Sequence, residues 1–588
     1  MGATLFKEVS YSLGKLIEDI DLGEIALPDI QRFFVWNAAK VRDLFDSMYK
    51  GFPVGYLLFW ANVSGGGIRQ IGDGSKQRVA RLLIVDGQQR LTSLYAVLKG
   101  RPVLKEDYTH GRINIAFQPK EARFEVADAA IRRDPEFISN ISDLWSGERS
   151  RNRFVRDFIG RLRASREVDE DEEDRLNEQI DQLYDLQNYP FTALELSPSV
   201  TEEEVSDVFV RINSKGVTLS QADFILTLMS VFWDEGRADL ERFCRAARKP
   251  TQGEASAFNH FIEPEPDQLL RAAVALAFRR ARLEHVYSLL RGKDLETRTY
   301  SEERRDQQFA QLEQAQAIVL DLTNWHEFLK TLVRAGFRGR KMVTSNTTLI
   351  YCYALYLIGK RDYSVDAFKL RNVIARWFFF SALTGRYTNS PESSMEEDLA
   401  GIRNVASAES FVEHLDSIIR GTFTDDYWHT TLPTDLVTSS ARTPQLSAYH
   451  ASLNLLDAKA LFSELKVSEL LDPALQANKA PLERHHLFPR NYLKQIGITE
   501  IRETNQIANF ALIEWVDNIN ISDDPPATYI PKYLARQDSS SVSYDQMSYW
   551  HALPTDWENL EYSEFLEQRR ALIASAIKDG FATLNPVT

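Results

Sequence analysis

The chain has 588 residues, 44% of them hydrophobic and 11% aromatic, which is enough for roughly two to four domains with sizeable cores. Its formal net charge of -15 argues against a uniformly basic nucleic-acid-binding protein but leaves room for a local basic groove. The two cysteines, Cys244 and Cys352, are too few for a disulfide framework or a thiolate zinc site. The N-terminus lacks the apolar core of a signal peptide, and the longest apolar run, near Leu349 to Ile358, is too short to span a bilayer. We therefore expect a cytoplasmic protein without membrane association.

The first hundred residues mix strand and helix signals. The segment KVRDLFDSMYKG, residues 40–51, predicts an amphipathic helix that ends at Gly51. VGYLLFW, residues 54–60, and LLIV, residues 82–85, predict buried strands. A turn at Asp86 and a further helix follow the second strand.

This turn reads Asp86-Gly87-Gln88-Gln89-Arg90. A cation in the first turn of a helix opposes the helix dipole unless an anion is bound there. The two amides and the guanidinium suit phosphate oxygens, Arg90 could pair with two of them at once, and Asp86 could hold Mg²⁺ through water. A purely structural alternative makes Asp86 the N-cap and Gly87 a turn residue. Because no G-x-x-x-x-G-K-[ST] occurs, a nucleotide at this turn would not use a P-loop.

Residues 149–166 contain seven arginines, and the acidic segment EVDEDEEDRLNEQID follows at 167–181. One interpretation is a long solvated helical hairpin with paired charges. The other is an arginine face that contacts nucleic-acid phosphates.

The remaining segments suggest the domain organisation. FTALELS, residues 191–197, predicts a strand, and periodicity from about 235 to 430 is mostly helical. The composition shifts again near 440. We therefore divide the chain into an N-terminal α/β domain at 1–235, a helical middle region at 236–439 and a C-terminal domain at 440–588.

The N-terminal motifs carry a family resemblance. IVDGQQRLTSL resembles the signature of the N-terminal domain of GmrSD-type, modification-dependent restriction enzymes, and FPVGYLLFW matches the strand before it. Two further segments match, LPDIQRFFVW through Pro28, Gln31, Arg32 and Trp36, and VFVRINSKGVTLSQADF through Phe209, Arg211, Asn213, Gly216 and Leu219. Many relatives have an aromatic residue where this chain has Ile30.

This resemblance implies a ParB/sulfiredoxin-like domain that hydrolyses a nucleoside triphosphate, whether GTP, ATP, CTP or UTP. By it, the nucleotide phosphates would be surrounded by Asp86, Gly87, Gln88, Gln89 and Arg90. Gln31 and Arg32 would reach the same pocket or a neighbouring one, and Asn213 would brace its floor.

The segment PLERHHLFPRN, residues 481–491, places His485 beside His486, and the strand-like run FALIEW begins directly after Asn509. A ββα-metal nuclease needs a metal ligand beside a general base on one strand, a loop asparagine and a ligand returned by a helix. Adjacent strand residues face opposite ways, so a bulge or strand end must re-aim one histidine, and Pro489 is consistent with such an end.

These residues resemble the HNH nuclease motif found at the C-terminus of the same restriction family, in an H-N-N form. By this resemblance His485 is the first metal ligand, His486 is the general base, Asn509 orients His486, and Asn518 is the last ligand. Asn520 and Asn505 remain rival assignments, and Lys532 is a candidate phosphate contact. One imidazole and one amide suit Mg²⁺ or Mn²⁺ better than zinc.

The sequence therefore predicts an α+β, multidomain protein with a ParB/sulfiredoxin-like α/β N-terminal domain, a helical middle region and a C-terminal ββα-metal (HNH) domain. The resemblance implies a nucleotide-dependent endonuclease of phage defence that acts on modified double-stranded DNA, in type IV restriction. Two alternatives remain open, a nickase that responds to phosphorothioate DNA and a nucleotide-dependent DNA-binding regulator without nuclease activity. A homodimer would let one site per chain serve two strands.

Overall fold

The computed structural model of the protein describes residues 5–28, 36–61, 68–69, 81–104, 110–147, 149–197, 200, 221–251, 253–293, 301–473, 482–537 and 541–585. The chain divides into two compact units, Met1–Glu235 and Gly236–Thr588. The first unit contains a small mixed sheet and the second is mainly helical, so the predicted mixed α+β, multidomain architecture is confirmed. The finer assignments to ParB/sulfiredoxin-like and HNH domains stay predictions.

The main sheet of the first unit has six strands in the order β1-β10-β3-β5-β2-β4. Strand β3 pairs parallel with β10 and antiparallel with β5, which places the predicted strands at the centre. The strands of this unit are β1 Phe6–Ser12, β2 Ile25–Pro28, β3 Leu57–Ala61, β4 Ile68–Arg69, β5 Leu82–Asp86, β6 Val103–Leu104, β7 His110–Gly111, β8 Ile115–Gln118, β9 Arg123–Val126 and β10 Pro190–Leu196.

Helices cover one face of this sheet, where alternate strand residues such as Leu57, Phe59 and Ile84 are buried in the core. The predicted helix at 40–51 is observed as α2, and Gly51 follows it with φ +74°, the left-handed conformation that glycine tolerates best. The described helices of this unit are α1 Leu13–Asp21, α2 Ala38–Tyr49, α3 Gln88–Leu98, α4 Arg151–Ser165, α5 Glu170–Tyr184 and α6 Gln221–Phe232.

The second unit begins with a series of helices, as the periodicity predicts. They are α7 Asp234–Ala246, α8 Pro266–Phe278, α9 Leu283–Leu290, α10 Glu302–Val319, α11 Leu322–Arg334, α12 Asn346–Arg361, α13 Ala367–Thr384, α14 Pro391–Ile402, α15 Ala408–Thr422, α16 Leu432–Asp435, α17 Pro444–Leu455 and α18 Val467–Leu470. Helices α12 and α13 carry aliphatic and aromatic residues on all sides, and both are therefore buried along most of their length. The helices of the described ranges are all too short or too polar to cross a bilayer.

The C-terminal part of the second unit contains a two-stranded antiparallel sheet of β11 Leu482–His486 and β12 Phe510–Glu514. The helices here are α19 Arg490–Gln495, α20 Ile501–Thr504, α21 Trp515–Ile521, α22 Pro526–Gln537, α23 Tyr544–Trp550 and α24 Tyr562–Ala582. Helix α21 follows β12 directly and contacts both strands, which gives a ββα arrangement.

Helix α24 is attached to the start of β12 by Arg569, whose side chain is fully buried. Its guanidinium donates to the main-chain oxygens of Ala508 at 2.5 Å, Phe510 at 2.8 Å and His551 at 3.0 Å. A buried charge is costly unless hydrogen bonds replace its water, and these carbonyls supply that replacement. The position of β12 relative to α24 is therefore fixed by hydrogen bonds as well as by apolar packing.

The stability of this unit should depend on pH through His551, which is fully buried with Nε2 3.0 Å from the Lys459 carbonyl. Burial, with smaller contributions from the charges of Arg569 and His450, lowers the pKa of His551 from 6.5 to about 4. The unfolded chain then binds the proton more tightly, so the free energy of unfolding is unaffected above about pH 6.5 and falls by roughly 3 kcal/mol as the pH drops towards 4.

Urea unfolding of the wild type and His551→Gln between pH 7.5 and 5 tests this dependence. We expect a shallower fall in the glutamine variant, because the titrating group is gone. His429→Gln, an exposed histidine of the same unit, should keep the wild-type slope. Parallel curves for wild type and His551→Gln would contradict the assignment.

Candidate functional sites

The two adjacent histidines lie at the end of β11 and contact different residues, His485 contacting Asn518 and His486 contacting Asn505. His485 is buried with 3% of its surface exposed, whereas His486 is half-buried. They pair across the ladder with Ala511 and Phe510. The strand alternation and the strand end predicted from the sequence thus give the two imidazoles different environments.

His485 lies against the returning helix α21. Its Nδ1 atom is 2.8 Å from Oδ1 of Asn518, while Asn520 is exposed on the same helix. Because an amide oxygen accepts, Nδ1 donates, and the lone pair of the neutral ring is on Nε2. Nε2 is buried without a hydrogen-bond partner, and burial lowers the pKa of His485 to about 4.

This arrangement fits a divalent cation. A neutral imidazole with an unsatisfied buried nitrogen is a good metal ligand. Asn518 accepts from the opposite ring nitrogen, so it orients the imidazole, and its predicted role as a ligand of the same ion would require this contact to be exchanged. Within the described ranges, no group of three or more histidine, cysteine, aspartate or glutamate side chains is placed to hold a metal ion.

His486 is held by Asn505, and this is the main difference from the predicted assignment. Its Nε2 atom is 3.0 Å from Oδ1 of Asn505, which leaves the lone pair of a neutral ring on Nδ1. Asn509, predicted to orient His486, is fully buried and instead binds main-chain groups, accepting from Phe488 N at 2.9 Å and donating to Phe488 O at 3.0 Å and Thr504 O at 3.1 Å. Asn509 thus fixes the loop after His486, and the rival residue Asn505 contacts the ring.

Two arginines that the sequence interpretation did not single out flank His486. The guanidinium of Arg484 lies 5.8 Å from the Phe510 ring, and that ring packs 4.6 Å from the His486 imidazole. Burial lowers the pKa of His486, and the positive charges of Arg490 and Arg484 lower it further. Lys532, the predicted phosphate contact, is exposed and pairs with Asp524 at 2.9 Å.

The Asp86 turn of the first unit has a different geometry from a simple cap. The residue that precedes α3 is Gly87, with φ +98° and no side-chain cap, so Asp86 is not the N-cap. The β3–β5 ladder shifts register between Leu58 and Phe59, where Leu58 pairs with Asp86 and Phe59 with Ile84. Such an irregularity re-aims the side chain at a strand end, here the Asp86 carboxylate.

Arg90 supports the neighbouring loop. Its Nη1 atom donates to Val54 O at 2.6 Å, and Nη2 donates to Tyr56 O at 2.8 Å and to the Asp86 carboxylate at 3.2 Å. Burial lowers the pKa of this guanidinium. Arg90 therefore fixes the loop before β3 and neutralises Asp86, and its predicted bidentate grip on phosphate would require these contacts to be exchanged.

The surroundings of the turn are polar and aromatic. Gln88 and Gln89 are half-buried at the start of α3, and the ring of Tyr56 is 65% exposed beside the fixed loop. Trp36 packs against the core of the unit. The other predicted members of this site, Gln31, Arg32 and Asn213, lie outside the described residues, as do Phe209, Arg211, Gly216 and Leu219.

We expect Gly87→Ala to destabilise the first unit by about 2–4 kcal/mol, because the added Cβ would lie 2.4 Å from Leu57 Cδ2 in a left-handed backbone. Gly51→Ala is the matched control, since Gly51 also has positive φ but an added Cβ would meet no atom within 4 Å. That control should lose only about 1 kcal/mol. Chemical unfolding of the full chain measures both, and equal losses would show that Leu57 does not restrict the turn.

Comparison with known proteins links the first unit to a restriction family. A segment of the chain is 34% identical over 82 residues to an uncharacterized protein of Methanocaldococcus jannaschii, a match that spans 12% of this chain and 14% of that relative. Residues 13–230 match the family model of the GmrSD restriction endonuclease, N-terminal domain. The match includes the Asp86 turn and β10, and it supports the assignment of the N-terminal part of the chain to the GmrSD restriction endonuclease family.

Proposed function

We propose that the protein is a nucleotide-dependent DNA endonuclease of phage defence that cleaves modified foreign DNA. The observation that carries this proposal is the ββα arrangement at residues 482–521, in which His485 meets Asn518 and His486 meets Asn505. The GmrSD match at residues 13–230 supports the restriction context. A nucleoside triphosphate as the partner of the first unit rests on the chemistry and the family resemblance of the Asp86 turn.

In the proposed reaction His486 takes a proton from a water molecule, and the water attacks the phosphorus in line with the leaving 3′ oxygen. Asn505 holds the imidazole so that the opposite ring nitrogen faces the water. Mg²⁺ or Mn²⁺, held by His485, whose ring Asn518 orients, would stabilise negative charge on the phosphate and the leaving oxygen. Arg484 and Arg490 add positive charge where the phosphodiester must lie.

Each such site cleaves one strand, so a double-strand break requires two nicks or a homodimer. The nucleotide would control cleavage by binding two conformations with different affinity, because only differential affinity can shift a conformational equilibrium. This control would protect the unmodified host chromosome. Plasmids carrying glucosylated hydroxymethylcytosine or phosphorothioate linkages, digested in parallel with an unmodified plasmid, would separate cleavage of modified DNA from sparing of it.

Plasmid nicking with Mg²⁺ or Mn²⁺ tests the nuclease site. We expect His486→Ala to reduce the nicking rate by roughly 10²–10⁴-fold, because the general base is lost. His429→Ala, at an exposed histidine, should nick at the wild-type rate. Wild-type nicking by His486→Ala would remove the nuclease assignment.

The two asparagines near His486 should respond differently. Asn505→Ala should lower the nicking rate without unfolding the chain. Asn509→Ala should lower the unfolding temperature, since Asn509 is fully buried and makes three hydrogen bonds.

Nucleotide hydrolysis tests the Asp86 turn. We expect Asp86→Asn to reduce hydrolysis of the preferred triphosphate at least tenfold with the chain still folded, because the carboxylate that would hold Mg²⁺ through water is lost. Asp46→Asn is the matched control, since Asp46 and Lys50 form an i,i+4 ion pair as Asp86 and Arg90 do. Equal turnover by the wild type and Asp86→Asn would show that the turn has only a structural role.

A further inference from the structure

An open cleft of about 730 Å³ lies beside α4 in the first unit. One side is formed by α4 and the other by the segment that precedes this helix. Its charged lining residues are Asp143, Arg149, Arg156, Asp157 and Arg161, and Gly160 lies among them. We call it the arginine cleft, because three guanidinium groups line it.

The acidic helix α5 and Glu136 neutralise only part of the arginine cluster. Three arginines form such pairs, Arg151 with Asp181, Arg163 with Glu173, and Arg166 with Glu136 and Glu172. The helical-hairpin interpretation therefore accounts for these three. Within the part of the chain that the structure describes, no ion pair is formed by Arg153, Arg156 or Arg161, all of which are exposed.

The carboxylates of the cleft already have partners. Asp157 pairs with Arg149 at 3.1 Å, and Asp143 accepts from the side chain of Asn140 at 3.2 Å. Arg161 lies 5.8 Å from the centre of the buried Phe158 ring, which limits its freedom while its charge remains exposed. With three guanidinium groups and two carboxylates among its lining residues, the cleft keeps a net positive charge on a chain whose overall charge is -15.

Gly160 lies inside α4 on the wall of the cleft. A Cβ added to it would meet no atom within 4 Å, so the wall has room for a side chain at this position. A substitution here can therefore change the charge of the cleft without disturbing the packing of the helix.

We propose that the arginine cleft binds the backbone phosphates of duplex DNA. Unpaired arginines in an open groove supply charge-assisted donors for successive phosphate oxygens, and Arg153 extends the same charge along α4 beyond the cleft. This inference rests on the proposed action on DNA, which it extends by assigning a sequence-independent contact surface to the first unit. The cleft is separate from the Asp86 turn, whose residues do not line it.

Fluorescence anisotropy of a labelled DNA duplex, titrated with the full-length protein at several salt concentrations, tests the proposal. Each phosphate contact contributes about one unit to the slope of log affinity against log salt, so Arg156→Gln/Arg161→Gln should reduce the slope by about 2. Gly160→Glu should weaken binding at least tenfold by placing a carboxylate in the cleft, while Gly160→Ala should bind like the wild type. Arg163→Gln, which removes an arginine already paired with Glu173, should keep the wild-type slope.

Circular dichroism and nucleotide hydrolysis of each variant establish that the first unit remains folded. Wild-type affinity and slope in both Arg156→Gln/Arg161→Gln and Gly160→Glu would overturn the proposal. The proposed endonuclease function would still stand in that case if the wild-type protein nicks plasmid DNA. Equal weakening by Gly160→Ala and Gly160→Glu would also overturn it, because the effect would not follow the charge. A wild-type protein that binds no duplex even at low salt would contradict both the cleft and the proposed function.

Discussion

The geometry of the C-terminal site depends on one buried guanidinium. Arg569 of α24 donates to the carbonyls of Ala508 and Phe510, the residues on either side of Asn509. Asn509 in turn binds both main-chain polar groups of Phe488, two residues after His486. The ends of β11 and β12 are therefore connected to α24 by an unbroken series of hydrogen bonds, and a buried polar series is stable only when each member has its partners. His485 and His486 obtain their orientations from this frame.

The candidate nucleotide turn is also stabilised by an arginine that donates to main-chain carbonyls. Arg90, from the first turn of α3, crosses to the carbonyls of Val54 and Tyr56 and fixes the loop that leads into β3. In both places an arginine on a helix donates to main-chain carbonyls at or next to the start of a strand. Arg90 also pairs with the Asp86 carboxylate, so a cation at that carboxylate would compete with this ion pair.

The sequence predicted the parts of these sites that depend on local order along the chain. Strand alternation separated His485 from His486, and a helix directly after β12 returned Asn518 to His485. The role of Asn505 could not be predicted, because its approach to His486 depends on the turn between α20 and β12 and leaves no periodic signal. Arg90 looked like a free phosphate donor for the same reason, since its carbonyl partners lie more than thirty residues earlier in the chain.

The charged residues of α4 and α5 serve helix pairing and, by our proposal, anion binding. Opposite charges at 149–181 correctly predicted paired helices, yet pairing uses only some of the arginines, and the sequence could not say which ones. Arg156 and Arg161 are exposed on the side of α4 that lines the cleft, and neither forms an ion pair with another described residue. A solvated hairpin and an anion-binding surface are therefore compatible on one helix.

The central claim is that β11, β12 and α21 form a metal-dependent hydrolytic site. Anomalous X-ray scattering from crystals of the full chain grown with Mn²⁺ tests it most directly. The account predicts one strong peak at about 2.1 Å from Nε2 of His485, which disappears in His485→Ala. Manganese density elsewhere, or none beside His485 at a saturating concentration, would contradict the account.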